Sequence, residues 1–103
     1  MPFKITVLQK MANPHLAESY CLAGTSVCPC PMFQEGQEFV TNEDKPEGFC
    51  GWAWNDIEKY IIIFRAGGNM TDTFQWMRDR NTVIACCTDG IRPVVFKIEK
   101  IEG

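Results

Sequence analysis

The alternation of apolar and polar residues at the N-terminus predicts a half-buried β-strand. Phe3, Ile5 and Val7 are apolar and Lys4 and Thr6 between them are polar. This period of two places successive side chains on opposite faces of a sheet. The sequence therefore predicts a strand that begins at Phe3.

Three later segments share the strand pattern. Residues 37–41 predict a short strand, and residues 82–87 and 93–101 predict a hairpin around the turn at 88–92. In the last segment Val94, Phe96 and Ile98 alternate with more polar neighbours. These segments are typical of a small sheet.

Spacings of three and four residues predict one main helix over about 49–65. The apolar residues that recur at these steps are Phe49, Ala53, Ile57, Tyr60 or Ile61, and Phe64, and two glycines at 67–68 provide a stop. An alternative is a shorter helix capped by Asn55 or Asp56. Asn13-Pro14 predicts a second helix that ends near Tyr20, and residues 69–81 predict a helical turn.

Together these elements predict an α+β fold in a single domain, residues 1–103. The 46% hydrophobic content is sufficient for a core at this length. We expect a small antiparallel or mixed sheet packed on the helix at 49–65, with a curled, barrel-like sheet as an alternative.

Charge narrows the classes of partner. Thirteen acidic residues against ten basic ones give a net charge of −3, and no cluster of Lys or Arg occurs. This argues against nucleic-acid and membrane partners. The N-terminus has no apolar signal region, so we expect a cytoplasmic protein whose cysteines stay reduced.

The six cysteines provide the strongest candidate chemistry. Cys21 stands alone. The other five lie where loops are predicted to meet regular elements: Cys28 and Cys30, then Cys50, then Cys86 and Cys87. Thiolates from such positions bind zinc or iron–sulfur clusters. The candidate metal ligands are therefore Cys50, Cys87 and one of Cys28 and Cys30, and the sequence leaves the choice between these two open. Adjacent strand residues face opposite ways, so at most one of Cys86 and Cys87 joins the metal site. The alternative is that these cysteines are small buried packing groups.

A second hypothesis is a thiol-dependent enzyme or redox protein. Cys50 is predicted in the first turn of the main helix, where unpaired amides and the helix dipole stabilise a thiolate. Asp89 is a candidate acid or base, and Arg92 is a candidate oxyanion or carboxylate partner for a small molecule. The alternative is that Asp89-Gly90 and Arg92 are ordinary turn residues. The sequence leaves open whether the protein is an enzyme.

A third hypothesis is a non-catalytic module that forms homo-oligomers. The main helix is apolar almost all round near residues 61–64, so Ile62 or Ile63 is expected on an outer face that a second copy covers. The tryptophans at 52, 54 and 76 are expected in core and edge packing.

Three segments resemble a family of small, uncharacterised bacterial and archaeal proteins of about 100 residues. The first segment, Gly36 to Phe39, reads Gly-x-x-Phe. The second, Pro46 to Cys50 with the three residues after it, contains Gly-Phe-Cys-x-Trp-Ala. The third, Cys87 to Phe96, reads Cys-x-Asp-Gly-x-Arg-Pro-Val-x-Phe. The resemblance implies that cysteines at these positions are characteristic of the family. It implies no activity.

Overall fold

Within the described residues, four antiparallel strands form one open sheet in the order β2–β1–β4–β3. The computed structural model describes residues 2–102. The strands are β1 (Phe3–Lys10), β2 (Glu38–Thr41), β3 (Thr82–Cys86) and β4 (Val94–Lys100). The α+β prediction is confirmed, with an antiparallel sheet. The barrel-like alternative is wrong, because β2 and β3 are opposite edges and do not pair.

The part of the chain that the structure describes also contains three helices: α1 (Pro14–Tyr20), α2 (Gly51–Arg65) and α3 (Met70–Thr73). The alternative of a shorter main helix is wrong, since Asn55 and Asp56 lie inside α2. Between Pro2 and Glu102, no helix has the length and apolar character needed to cross a membrane.

The core lies between α2 and one face of the sheet. Helix α2 packs on β3 and β4, and its buried side chains include Ile57, Ile61 and Phe64. The sheet contributes Phe3, Ile5, Val7, Val83, Val94, Phe96 and Ile98. Trp54 is buried, but Trp52 is 74% exposed and Trp76 is 78% exposed. Trp54 is therefore in the core, whereas Trp52 and Trp76 are not. Trp76 packs at the surface against Phe74, with ring centroids 5.1 Å apart.

A β-bulge interrupts β1 between Val7 and Gln9. Val7 lies opposite Phe96, but Gln9 lies opposite Val95, so Leu8 is an extra residue. The bulge reverses the alternation of side chains between the two faces of the sheet. Without it, Gln9 would lie on the face that packs on α2. Lys10 instead lies opposite the buried Val94 and on its side of the sheet.

Helix α2 ends in a Schellman motif. Gly67 has φ +89°, a conformation that favours glycine, and its N–H donates to the Phe64 carbonyl. The N–H of Gly68 donates to the Ile63 carbonyl at 2.9 Å. These two bonds satisfy carbonyls that the end of the helix leaves unpaired.

The face of the sheet opposite α2 carries alternating charges. Lys4 pairs with Glu38 on β2 and with Glu99 on β4, at N···O distances of 3.5 and 3.6 Å. Lys97 also lies 3.3 Å from Glu99. These charges occupy β1, β2 and β4, and β3 has none.

Candidate functional site

Three segments that are distant in sequence meet at one end of the sheet and enclose a cleft of about 450 Å³. The segments are the loop before β2, the N-terminus of α2 and the loop between β3 and β4. The polar and sulfur-bearing groups that line it include Cys30, Cys50, Cys87, Asp89 and Arg92, and we call it the thiol cleft. All six cysteines of the chain are free thiols.

Cys50 is the N-cap of α2. Its carbonyl accepts the first helical bond, from the Trp54 N–H at 3.0 Å. The turn before it is fixed by Gly48, whose φ of +79° favours glycine, and by Lys45, whose Nζ donates to the Phe49 carbonyl at 2.8 Å. The sequence predicted Cys50 within the first turn of the helix. In the structure it lies one residue before that turn, which begins at Gly51. A thiolate at an N-cap faces the positive end of the helix dipole.

Cys87 and Cys86 have different surroundings, because successive strand residues face opposite ways. Cys87 is half-buried in the thiol cleft, and its Sγ accepts a hydrogen bond from the Val94 N–H at 3.3 Å. Cys86 is exposed. Protein atoms nevertheless exclude some water from its thiol. This desolvation, together with the neighbouring Cys87 thiol, raises the pKa of Cys86 above its ordinary value.

Cys30 lines the thiol cleft, whereas Cys28 does not. The Nζ of Lys10 donates to the Cys30 carbonyl at 3.1 Å and to the Phe33 carbonyl at 2.8 Å. These bonds hold a loop that has no regular structure of its own. Cys28 is exposed and lines an adjoining depression together with Cys21. Of the two cysteines around Pro29, Cys30 is the one that shares a cleft with Cys50 and Cys87.

Asp89 organises the loop between β3 and β4. Its Oδ1 accepts hydrogen bonds from the backbone N–H groups of Ile91 and Arg92 at 2.9 and 3.0 Å, and its Oδ2 accepts one from Arg92 Nε at 3.1 Å. Partial burial by itself raises the pKa of the Asp89 carboxyl, but these bonds and the Arg92 charge outweigh it. The pKa of Asp89 lies below its ordinary value.

The segment after β1 holds the loop between β3 and β4 through hydrogen bonds. The Met11 N–H donates to the Pro93 carbonyl, and the Asn13 N–H donates to the Ile91 carbonyl, both at 2.8 Å. The Asn13 side chain donates to the Gly90 carbonyl at 2.6 Å. Asn13 therefore holds this loop rather than capping α1 with its side chain.

The remaining walls of the cleft are mostly apolar. Phe33 is buried and forms edge-on aromatic contacts with Phe39, Phe49 and Phe96. Met32 and Trp52 line the cleft and are exposed. Sequence patterns did not single out Met32 or Lys10 for the site. Trp52 had one usable signal, since it lies two residues after Cys50 on the same element.

Across residues 2–102, no three or more His, Cys, Asp or Glu side chains are arranged to hold a metal ion. The sole histidine, His15, is exposed on α1. Zinc and iron–sulfur binding therefore stay predictions.

No protein-family model matches the chain, and no similar protein was found among curated proteins or solved structures. The resemblance to small bacterial and archaeal proteins likewise stays a prediction.

Proposed function

We propose that the protein is a thiol-dependent enzyme or redox protein whose reactive group is Cys50. One observation carries the proposal: three half-buried free thiols, from Cys30, Cys50 and Cys87, line the same cleft. Because free thiols persist in reducing compartments, the proposal includes a cytoplasmic location.

The neighbours of Cys50 support distinct roles. Cys50 is the N-cap of α2 and lies beside the unpaired amides and the positive end of the helix dipole. The thiolate is the nucleophilic form of a cysteine side chain. The ion pair with Asp89 orients the Arg92 guanidinium at the cleft. Of the three guanidinium nitrogens of Arg92, only Nε makes a hydrogen bond within residues 2–102. The two terminal amino groups can therefore bind a carboxylate or another anionic group.

Asp89 fits the role of an orienting anion better than that of an acid. Its lowered pKa keeps the carboxyl ionised at neutral pH, so it has no proton to donate. Its role in this proposal is to fix Arg92 and the turn.

Three thiols in one cleft favour thiol–disulfide exchange over a single nucleophilic attack. The Cys50 thiolate attacks one sulfur of a disulfide substrate, forms a mixed disulfide and releases the other half as a thiolate. The thiolate of Cys30 or Cys87 then attacks the Cys50 sulfur, which forms an internal disulfide and releases the second half. Two electrons pass to the substrate, and two equivalents of a reducing thiol, which become a disulfide, restore the protein.

Metal binding is the second candidate, favoured by the same convergence of thiols. Zinc takes three or four thiolate ligands, and Cys30, Cys50 and Cys87 line one cleft. Within residues 2–102 no three of these side chains are arranged to hold a metal ion, and Cys28 lies on the adjoining depression, so a thiolate site requires movement of the cysteine loops. Because metal binding needs this rearrangement, it is the less favoured of the two proposed functions.

Timed alkylation of metal-free protein at pH 7, with mapping of labelled peptides by mass spectrometry, tests the reactive thiol. We expect Cys50 to be labelled before Cys28 and Cys30, although Cys28 is more exposed. Cys86 provides an internal control, because its raised pKa predicts slower labelling than that of Cys28. Slower labelling of Cys50 than of Cys28 or Cys30 refutes the role of Cys50.

A second experiment separates thiol exchange from metal binding. Anaerobically purified wild type, Cys50→Ser and the control Cys21→Ser are compared for metal content and for reduction of a small aromatic disulfide. Thiol exchange predicts that only Cys50→Ser loses activity and that Cys50 is found in an internal disulfide. One zinc per chain that is lost only in Cys50→Ser, without disulfide reduction, supports metal binding instead.

A further inference from the structure

Hydrogen bonds at both ends of β3 show which of its backbone groups point away from the sheet. Lys100 N–H donates to the Asn81 carbonyl at 2.9 Å, and Cys87 N–H donates to the Val94 carbonyl at 3.0 Å. Hydrogen-bonded pairs recur at every second residue of an antiparallel ladder. The odd-numbered residues of β3 therefore bond to β4, and its even-numbered residues direct their N–H and C=O groups outward.

The outward groups belong to Thr82, Ile84 and Cys86. Within residues 2–102, the Thr82 N–H has one partner, the Asp79 carbonyl at 3.3 Å, whereas the backbone groups of Ile84 and Cys86 have none on that side. The Ile84 side chain is 46% exposed. An uncovered strand edge of this kind is a template for another strand.

Strand β3 lacks the features that usually protect an edge. Its sequence, Thr-Val-Ile-Ala-Cys, contains no charge and no proline, and its pairing with β4 has no bulge. The opposite edge, β2, is protected by Glu38, which pairs with Lys4. The two edges of the same sheet therefore differ in their capacity to accept a partner.

We propose that β3 is a homodimer interface, in which two copies pair their β3 strands antiparallel about a two-fold axis at Ile84. The two Ile84 residues exchange both of their outward hydrogen bonds. Thr82 of each chain lies opposite Cys86 of the other, and the two sheets form one sheet of eight strands. This is the strand-addition mode of recognition, with a second copy as the added strand.

Self-complementarity identifies the second copy as the partner. In this register Val83 lies opposite Ala85 on the core side, and the two exposed Ile84 side chains meet on the outer side. The nearest like charges on that side are the two Lys97 residues, which lie opposite Ile84 on β4. Three strand spacings separate them, roughly 14 Å, which exceeds the screening length of about 8 Å at physiological salt.

Light scattering on a sizing column tests the interface with three lysine variants at exposed positions. Wild type is expected at twice the 11.7 kDa chain mass, and Ile84→Lys at the mass of one chain. The matched control is Val40→Lys on β2, where the side chain is 61% exposed. Ile62→Lys tests the exposed side of α2, where Ile62 is 55% exposed. Both controls are expected to remain dimers.

Hydrogen exchange of wild type tests the pairing without any substitution. The amides of Ile84 and Cys86 are expected to be protected at high protein concentration and to exchange faster on dilution. The proposal is overturned if wild type stays monomeric at 100 μM and the amides of Ile84 and Cys86 exchange freely. A peptide of another protein would then be the favoured partner for the β3 edge. A dimer that only Ile62→Lys or Val40→Lys disrupts also overturns it.

Discussion

Replacement of Asp89 tests whether one carboxylate holds the loop that carries Cys87 and Arg92. The carboxylate accepts three hydrogen bonds, two from backbone amides and one from Arg92 Nε. Asp89→Ala removes all three. Asp89→Asn keeps an oxygen that can accept from the two amides, but it loses the charge that pairs with Arg92.

The structure sets the size of the two effects. A hydrogen bond within a protein contributes about 0.5–1.5 kcal/mol net. The ion pair contributes less, about 0.2–1 kcal/mol, because solvent screens exposed charges. The Asp89 and Arg92 side chains are 33% and 43% exposed. We expect Asp89→Ala to lower the free energy of unfolding by about 1–3 kcal/mol. We expect Asp89→Asn to lower it by about 0.2–1 kcal/mol.

The effect of Asp89→Asn depends on pH with a defined sign. Folding lowers the pKa of Asp89 below its ordinary 3.8, so the carboxylate stabilises the folded state fully above that value. This stabilisation is lost as the pH falls through the lowered pKa of the folded protein. The difference in stability between wild type and Asp89→Asn is therefore constant from pH 7 to pH 5 and closes below pH 3.8.

Urea unfolding of wild type, Asp89→Asn and Asp89→Ala at pH 7 and at pH 3 measures these differences. Alkylation of Cys87 in the same proteins reports on the loop directly, and faster labelling is expected in Asp89→Ala. Equal stability of Asp89→Ala and wild type at pH 7 contradicts the reasoning. A gap between wild type and Asp89→Asn that widens in acid contradicts it as well.

Two further predictions concern positions that support the site. Gly68→Ala places a Cβ 2.7 Å from Cγ2 of Ile63, so we expect thermal unfolding to show a free energy of unfolding lower by about 1–3 kcal/mol. The control is Gly51→Ala, whose Cβ meets nothing within 4 Å. We expect the free energy of unfolding of this variant to rise by about 0.4–1 kcal/mol. Lys10→Met removes two bonds to backbone carbonyls and is expected to cost about 1–3 kcal/mol in urea unfolding. It should also speed alkylation of Cys30, and unchanged labelling contradicts the role of Lys10.

The elements were predictable from local patterns because each pattern reports on burial against a single surface. Phe3, Ile5 and Val7 alternate because one face of β1 is buried. The spacing from Ala53 to Phe64 follows the buried face of α2. The sheet order and its open edges depend on contacts between distant segments, and no local pattern contains them.

The candidate site was only partly predictable for the same reason. The predicted residues Cys50, Asp89 and Arg92 all line the thiol cleft. The choice between Cys28 and Cys30 depends on the position of a loop that Lys10 holds. The direction of Lys10 depends in turn on the bulge in β1, which the simple alternation of the strand does not predict.

The segment from Lys10 to Asn13 makes the two cysteine loops mechanically coupled. It donates through Lys10 to the Cys30 carbonyl and through Asn13 to the Gly90 and Ile91 carbonyls. A displacement of either loop must strain or break bonds to this segment. We therefore expect a ligand that displaces the Cys30 loop to change the chemical shift of the Asn13 amide, which is bonded to the other loop.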